Sequence, residues 1–85
     1  MSEQQKSILY VEDDLKLADL ISDFLTTSGF SVKHISSAHI AAFEMLKKRF
    51  DLVLLDIGLP ESDGFKVFEE LQRQYSVPVI FLTAR

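Results

Sequence analysis

Carboxylate side chains follow directly on two apolar runs of this 85-residue chain. The run at Ser7–Val11 (SILYV) leads into the acidic residues 12–14 (EDD), and the run at 52–55 (LVLL) leads into Asp56. A continuous apolar run is typical of a strand that is buried on both faces. A carboxylate in such a place is costly unless a partner compensates its charge. These acidic residues are therefore candidates for a functional site.

Oxygen atoms are the candidate metal ligands at these positions, because the chain has no cysteine and neither histidine is well placed to join them. Carboxylates that lie close together raise one another's pKa unless a cation or a proton intervenes. Oxygen-only ligand sets favour Mg²⁺, which binds one or two carboxylates, keeps several waters and accepts phosphoryl oxygens. The residue types therefore indicate phosphoryl chemistry.

Four strands that alternate with three helices must position the acidic residues. Apolar periodicity predicts strands over 7–11, 30–35, 52–56 and 77–83. It predicts helices from Leu15 to a left-handed end at Gly29, from Ala38 to near Phe50, and from Asp63 onward. The predicted inner faces of the helices are Leu17, Ala18, Leu20, Ile21, Phe24 and Leu25, then Ala38, Ala42, Met45 and Leu46, then Phe65, Phe68, Leu71 and Tyr75.

The alternation of strands and helices predicts a doubly wound α/β fold with a parallel sheet and helices on both faces. The second strand alternates apolar and polar residues, which is typical of an edge strand, so the simplest strand order is 2-1-3-4. Residues that end parallel strands gather at one edge of the sheet, where such folds bind ligands. We therefore expect three or four carboxylates to converge there, from the set Glu12, Asp13, Asp14 and Asp56, together with Thr83.

Three stretches resemble the receiver domains of two-component response regulators. They are ILYVEDD at 8–14, LVLLDIGLPESDGF at 52–65 and PVIFLTAR at 78–85. The resemblance implies a flavodoxin-like sheet, and it implies that the chain is a signalling phosphoacceptor rather than an enzyme in its own right. The phosphoryl donor would be the phosphohistidine of a sensor histidine kinase.

The resemblance also implies a role for each matching residue. Asp56 would accept the phosphoryl group, and Thr83 would contact a phosphoryl oxygen and report phosphorylation. Glu12, Asp13, Asp56 and the backbone carbonyl of Gly58 would hold Mg²⁺.

Members of this family continue with a fourth helix, a fifth strand that ends in a lysine, and a fifth helix. Residues 1–85 are therefore expected to form a single, incomplete receiver domain that is truncated before those elements. The alternative function is a fragment that cannot be phosphorylated and acts only as an assembly module. The exposed edge of the fourth strand predicts a homo-oligomer, most simply a dimer that pairs or exchanges elements there.

Two further alternatives concern individual residues. A phosphohydrolase of the haloacid dehalogenase type would need a second aspartate two residues after the nucleophile, where this chain has Gly58. Asp14 either joins the site or only caps the first helix. His34 and His39 are expected to be plain surface or helix-start residues.

Composition limits the remaining partners. The formal net charge is -4 and the only basic run is short, at 47–49, which argues against direct nucleic-acid binding. No apolar run is long enough to span a membrane, and the first residues are polar rather than a signal peptide. We therefore expect a cytoplasmic chain without membrane partners.

Overall fold

The predicted alternation of strands and helices is confirmed in a computed structural model of the protein, which describes residues 5–56, 58–59 and 63–82. Side chains at 63–65 and 67 are not part of that description. The elements are β1 Ser7–Val11, α1 Leu15–Thr27, β2 Ser31–Ile35, α2 Ala38–Lys47, β3 Leu52–Asp56, α3 Asp63–Tyr75 and β4 Val79–Leu82. Strands β2 and β4 begin slightly later than predicted, and α2 ends earlier than predicted.

The four strands form one parallel sheet in the order β2-β1-β3-β4, as predicted. One face carries an apolar core under α2 and α3, in which Leu9, Val53 and Phe68 are buried. The opposite face carries a smaller core under α1, which includes Tyr10 and Leu54. The two central strands are covered on both faces, which explains their continuous apolar runs.

Asp51 helps to set the register between β1 and β3. Its carboxylate Oδ2 accepts a hydrogen bond from the Ser7 backbone N–H at 2.7 Å, and its own N–H donates to the Ser7 carbonyl at 2.8 Å. The ladder then continues to the pair Val11 and Leu55. The residue after each of these two therefore emerges at the same sheet edge.

Helix α1 begins and ends at residues that its sequence specifies. Asp14 is the N-cap, and its Oδ1 accepts from the N–H groups of Lys16 and Leu17, both at 3.1 Å. Gly29 has φ +104°, and the Gly29 and Phe30 N–H groups donate to the carbonyls of Thr26 and Leu25. This pattern is a Schellman motif, in which glycine tolerates the left-handed conformation without a Cβ clash.

The predicted inner faces of the helices are only partly correct. Ala38, Ala42, Met45 and Phe68 are buried as expected, but Leu46 and Tyr75 are exposed at the ends of their helices. Leu20 and Phe24 of α1 are also exposed. Apolar periodicity marks a wide stripe on each helix, and the described part of the sheet covers only the centre of that stripe.

Candidate metal centre

Three carboxylates meet at the carboxyl edge of the two central strands. One carboxylate oxygen from each of Glu12, Asp13 and Asp56 lies within 4.8 Å of the other two. Glu12 and Asp13 follow β1, and Asp56 is the last residue of β3, so the strand register places them together. The structure therefore brings together the acidic residues that the sequence singled out at these two strand ends, apart from Asp14.

Glu12 is the buried member of the cluster, with only 2% of its surface exposed. Its carboxylate accepts hydrogen bonds from the Tyr10 hydroxyl at 3.2 Å and from the Asp14 backbone N–H at 3.2 Å. Burial raises the pKa of Glu12, and the nearby Asp56 carboxylate raises it further, although these two hydrogen bonds act in the opposite direction. Ionised Glu12 is therefore held at an electrostatic cost.

The Tyr10 hydroxyl serves as a fixed donor to Glu12. Burial raises the pKa of Tyr10 first, and the Glu12 carboxylate raises it further because a second negative charge beside it is unfavourable. Tyr10 therefore keeps its proton at neutral pH and can continue to donate it to the carboxylate.

The main chain of Glu12 is held on both sides by β2. Its N–H donates to the Ile35 carbonyl at 3.0 Å, and its carbonyl oxygen lies 2.8 Å from His34 Nε2. Because a carbonyl oxygen only accepts, Nε2 must carry the proton of this bond. The His34 ring also packs near Tyr10, with 5.7 Å between ring centroids. His34 and Tyr10 thus hold the backbone and the side chain of the same acidic residue.

The prediction that His34 is a plain surface residue is therefore wrong, since it is half-buried and hydrogen-bonded to the backbone carbonyl of Glu12. A lone histidine on an edge strand carries no ligand motif, which is why the sequence did not reveal it. The only signal was its register, because His34 is paired with Tyr10 across β1 and β2. His39 is exposed on α2 and packs against Phe43.

Asp56 is 9% exposed and is oriented by the turn that follows it. Its Oδ1 accepts from the Gly58 N–H at 3.0 Å, and its backbone carbonyl accepts from the Leu59 N–H at 3.3 Å. This side-chain turn aligns the carboxylate with the backbone two residues on. A Cβ at Gly58 would lie 3.5 Å from Asp56 Oδ1, so a larger residue there would contact the carboxylate.

The remaining candidate residues divide into three groups. The Asp14 side chain caps the N-terminus of α1, which favours the alternative that Asp14 is a helix cap rather than a metal ligand. Asp13 is exposed at the mouth of the cluster. Thr83 lies outside the described residues, and the predicted use of the Gly58 carbonyl stays a prediction.

The donor set of the cluster fits a hard divalent cation. In the described ranges 5–56, 58–59 and 63–82, ion pairs join Lys47 to Glu44 and Arg73 to Glu70, both within helices and away from these carboxylates. No lysine or arginine of those ranges forms an ion pair with the cluster. Three carboxylate oxygens this close together could hold a hard cation such as Mg²⁺, which prefers oxygen ligands.

The chain matches the response regulator receiver domain over residues 8–85. It is 36% identical over 80 residues to the regulatory protein VanRc of Enterococcus gallinarum, covering 94% of this chain and 35% of that protein. It is 38% identical over 78 residues to the transcriptional activator protein IrlR of Burkholderia pseudomallei, covering 92% of this chain and 34% of that protein. The chain thus spans about a third of the curated relatives it matches.

Solved structures show the same likeness. The response regulator TrrA of Thermotoga maritima, crystallised in complex with Mg²⁺ and BeF, superposes with a TM-score of 0.80 at 28% identity, covering 95% of this chain and 71% of that one. The N-terminal domain of a response regulator/sensory box/GGDEF protein from Carboxydothermus hydrogenoformans gives 0.81 at 34% identity, covering 94% and 66%.

The parallel sheet, with helices on both faces and an acidic edge, is a flavodoxin-like fold. The chain belongs to the response regulator receiver domain family. No described helix of it is both long enough and apolar enough to cross a bilayer.

The bond from His34 to Glu12 yields a testable prediction. We expect His34→Phe, which keeps an aromatic ring but removes the donor, to weaken Mg²⁺ binding about tenfold, the scale on which residues that orient metal ligands act. His34→Gln, which retains an N–H donor, should recover part of that loss. Isothermal titration with Mg²⁺ measures both variants, and His39→Gln is the matched control. Equal affinities of the Phe and Gln variants would contradict the role of the donor.

Proposed function

We propose that the chain is the phosphoacceptor receiver of a two-component system and that Asp56 takes the phosphoryl group. The observation that carries the proposal is the position of Asp56, which ends a buried strand within 4.8 Å of Glu12 and Asp13 oxygens. The resemblance to a receiver crystallised with Mg²⁺ and BeF supports it. Residues 1–85 are proposed to lie within a single receiver domain.

The proposed reaction is an in-line transfer to a carboxylate. One carboxylate oxygen of Asp56 attacks the phosphorus of a phosphohistidine, a P–O bond forms, and the P–N bond breaks with its electron pair returning to the histidine. The product is an acyl phosphate on Asp56. The Gly58 N–H orients the attacking carboxylate from one side, and β3 holds its backbone in the sheet.

Glu12, Asp13, Asp56 and the Gly58 carbonyl are the proposed Mg²⁺ ligands. When bound, Mg²⁺ would supply positive charge that offsets the charge of the carboxylates and of the phosphoryl oxygens. Tyr10 and His34 keep Glu12 in place, so the ligands need little rearrangement. Thr83, which follows β4, is the proposed contact to a phosphoryl oxygen.

The proposed partner is a sensor histidine kinase, in the cytoplasm. Its phosphohistidine would have to reach the carboxyl edge of the sheet, where exposed Asp13 marks the mouth of the site. No direct contact with nucleic acid is proposed for this segment, since its net charge is -4.

Incubation with acetyl phosphate and Mg²⁺ tests the proposed acceptor. We expect a mass increase of about 80 Da, one phosphoryl group, that requires Mg²⁺. Hydroxylamine should remove it, because an acyl phosphate is a mixed anhydride whose carbonyl carbon hydroxylamine attacks with loss of phosphate. Intact-mass spectrometry with and without EDTA measures it. A chain that binds Mg²⁺ but gains no mass would contradict the proposal and support the alternative, an assembly module that accepts no phosphoryl group.

The edge of the sheet leads to the proposal of self-association. β4 is the last strand of the described sheet, and its Ile80 and Phe81 are 50% and 61% exposed. An apolar edge strand offers unpaired backbone groups to another chain, so we expect a homodimer formed around β4. Size-exclusion chromatography with light scattering checks this, and Phe81→Lys should shift the chain toward monomer. A monomer at every concentration would contradict it.

A further inference from the structure

Helix α2 presents large apolar side chains to solvent. Ile40, Phe43 and Leu46 are 44%, 56% and 59% exposed, and their spacing of three residues places them side by side on the helix. We refer to these three residues as the α2 strip. The core is served by other positions of α2, including Ala41 and Met45. The α2 strip thus lies outside the buried core, and a cluster of exposed apolar side chains is typical of a binding surface.

A cavity of about 300 Å³ continues the α2 strip at the end of the helix. Its walls come from the end of α2, the segment before β3 and the end of α3. The lining residues are Met45, Leu46, Lys47, Lys48, Arg49, Phe50, Tyr75 and Val77. The cavity has an apolar floor and a basic rim, and its volume accommodates a large apolar side chain.

The basic rim consists of residues 47–49, which hold three of the nine lysines and arginines of the chain. Glu44 pairs with Lys47 at 3.6 Å, and the Lys48 ammonium lies 5.1 Å from the centre of the Phe50 ring. Arg49 forms no ion pair within the described part of the chain. Within the described residues, carboxylates therefore compensate the positive charge of the rim only in part. An anionic binding partner would complement the remaining charge.

We propose that the α2 strip and this cavity bind an acidic amphipathic helix of another protein. Apolar side chains of that helix would lie along the α2 strip, one of them would enter the cavity, and its carboxylates would face residues 47–49. Recognition of this kind uses anchors at i, i+3 or i+4 and i+7. The strip from Ile40 to Leu46 extends about 9 Å at 1.5 Å per residue, which suits two such anchors beside the one in the cavity.

Other occupants match the surface less well. A second copy that docks through its own α2 strip presents apolar side chains and no carboxylate from that strip, so the basic rim would lack an anionic partner. A flat lipid surface leaves a concave cavity unfilled, and an anionic membrane repels a chain with a net charge of -4. A soluble acidic helix satisfies both the shape and the charge.

The proposed surface is remote from the metal centre. The cavity lies where β3 and β4 begin, whereas Asp56 lies where β3 ends, and a strand of this length spans roughly 17 Å. We therefore expect binding to be independent of phosphorylation. The surface would bind its partner equally well whether or not Asp56 is phosphorylated.

Two synthetic helical peptides provide the test. Both carry leucine at positions i, i+4 and i+7, and the remaining positions are glutamate-rich in one and lysine-rich in the other. Fluorescence anisotropy should show the acidic peptide binding at least tenfold more tightly than the basic one at low salt, with the difference falling as salt screens the charges. Amide shifts in a ¹⁵N spectrum should cluster at 40–50 and 75–77.

Matched variants distinguish binding at this surface from nonspecific hydrophobic binding. Phe43→Ser should weaken binding of the acidic peptide about tenfold, and Lys48→Glu with Arg49→Glu should reverse the preference between the peptides. Phe24→Ser is the matched control, because Phe24 is a phenylalanine of α1 that is 69% exposed, against 56% for Phe43, and α1 lies on the opposite face of the sheet. Asp56→Asn should leave peptide affinity unchanged, so a failure of the phosphoacceptor proposal does not alter this result.

Several results would overturn the proposal. Equal affinity for the two peptides would show that charge does not select the occupant. Loss of binding in Phe24→Ser but not in Phe43→Ser would place the site on α1. Binding of anionic vesicles, or self-association that Phe43→Ser abolishes, together with no peptide binding would assign the surface to a membrane or to a second copy.

Discussion

Asp56→Asn is expected to abolish the gain of about 80 Da from acetyl phosphate and Mg²⁺. The amide has nearly the shape of the carboxylate but is not a nucleophile toward phosphorus, so the acyl phosphate cannot form. The hydrogen bond from the Gly58 N–H to Oδ1 can be kept by the amide oxygen, and the fold should survive. Intact-mass spectrometry measures the loss, and circular dichroism confirms the fold.

Asp19→Asn is the matched control for this substitution. Asp19 is exposed on α1 and away from the cluster, so its variant should gain the same mass as the unaltered chain. If Asp56→Asn still gained a hydroxylamine-sensitive phosphoryl group, another carboxylate would be the acceptor, and Asp13 would be the next to test.

Glu12→Gln is expected to stabilise the metal-free protein while weakening its Mg²⁺ binding. The folded protein holds Glu12 at a raised pKa because of burial and the Asp56 charge, so ionising this side chain opposes folding. Glutamine removes that charge and keeps the size of the side chain. We expect the free energy of unfolding of the metal-free variant at neutral pH to be higher than that of the unaltered chain.

The pH dependence follows from the direction of the shift. The ordinary pKa of a glutamate side chain is 4.5. At a pH above that value, Glu12 loses its proton more readily in the unfolded chain than in the folded one. The folded state then binds more protons, so stability falls as pH rises from about 4.5 toward the raised pKa of the folded state. Glu12→Gln should remove this decline, which urea denaturation between pH 4 and 8 would show.

Addition of Mg²⁺ should make the unaltered chain more stable than the Glu12→Gln variant. Mg²⁺ stabilises the folded state according to its affinity, and the variant lacks one proposed ligand, so we expect affinity to drop at least tenfold. Glu69→Gln, on the exposed side of α3, is the control and should change neither property. A variant that is less stable without metal and binds Mg²⁺ normally would contradict the account of Glu12.

Much of the fold could be predicted because its signals are local. Continuous apolar runs mark β1 and β3. Asp14 caps the start of α1, and Gly29 ends it through its backbone freedom. Each of these signals depends only on neighbouring residues. The alternation of elements then implies the parallel sheet, and the observed order β2-β1-β3-β4 agrees with it. The convergence of Asp13 and Asp56 follows from that topology.

The wrong predictions concern contacts between distant parts of the chain. Periodicity assigned Leu46 and Tyr75 to the core, but in the structure both are exposed at the ends of α2 and α3, where they line the cavity. A helix has more apolar positions than one sheet face can cover, and only the placement of the helix decides which of them stay exposed.

The sequence by itself determined the order of the elements, the strand ends that carry carboxylates and the types of ligand they offer, because these depend on short-range patterns. Only the tertiary structure decided that Glu12 is the buried carboxylate and that Tyr10 and His34 hold it. The physical reason is that a pKa and a hydrogen bond depend on which atoms surround a group, and the atoms around Glu12 come from three separate strands.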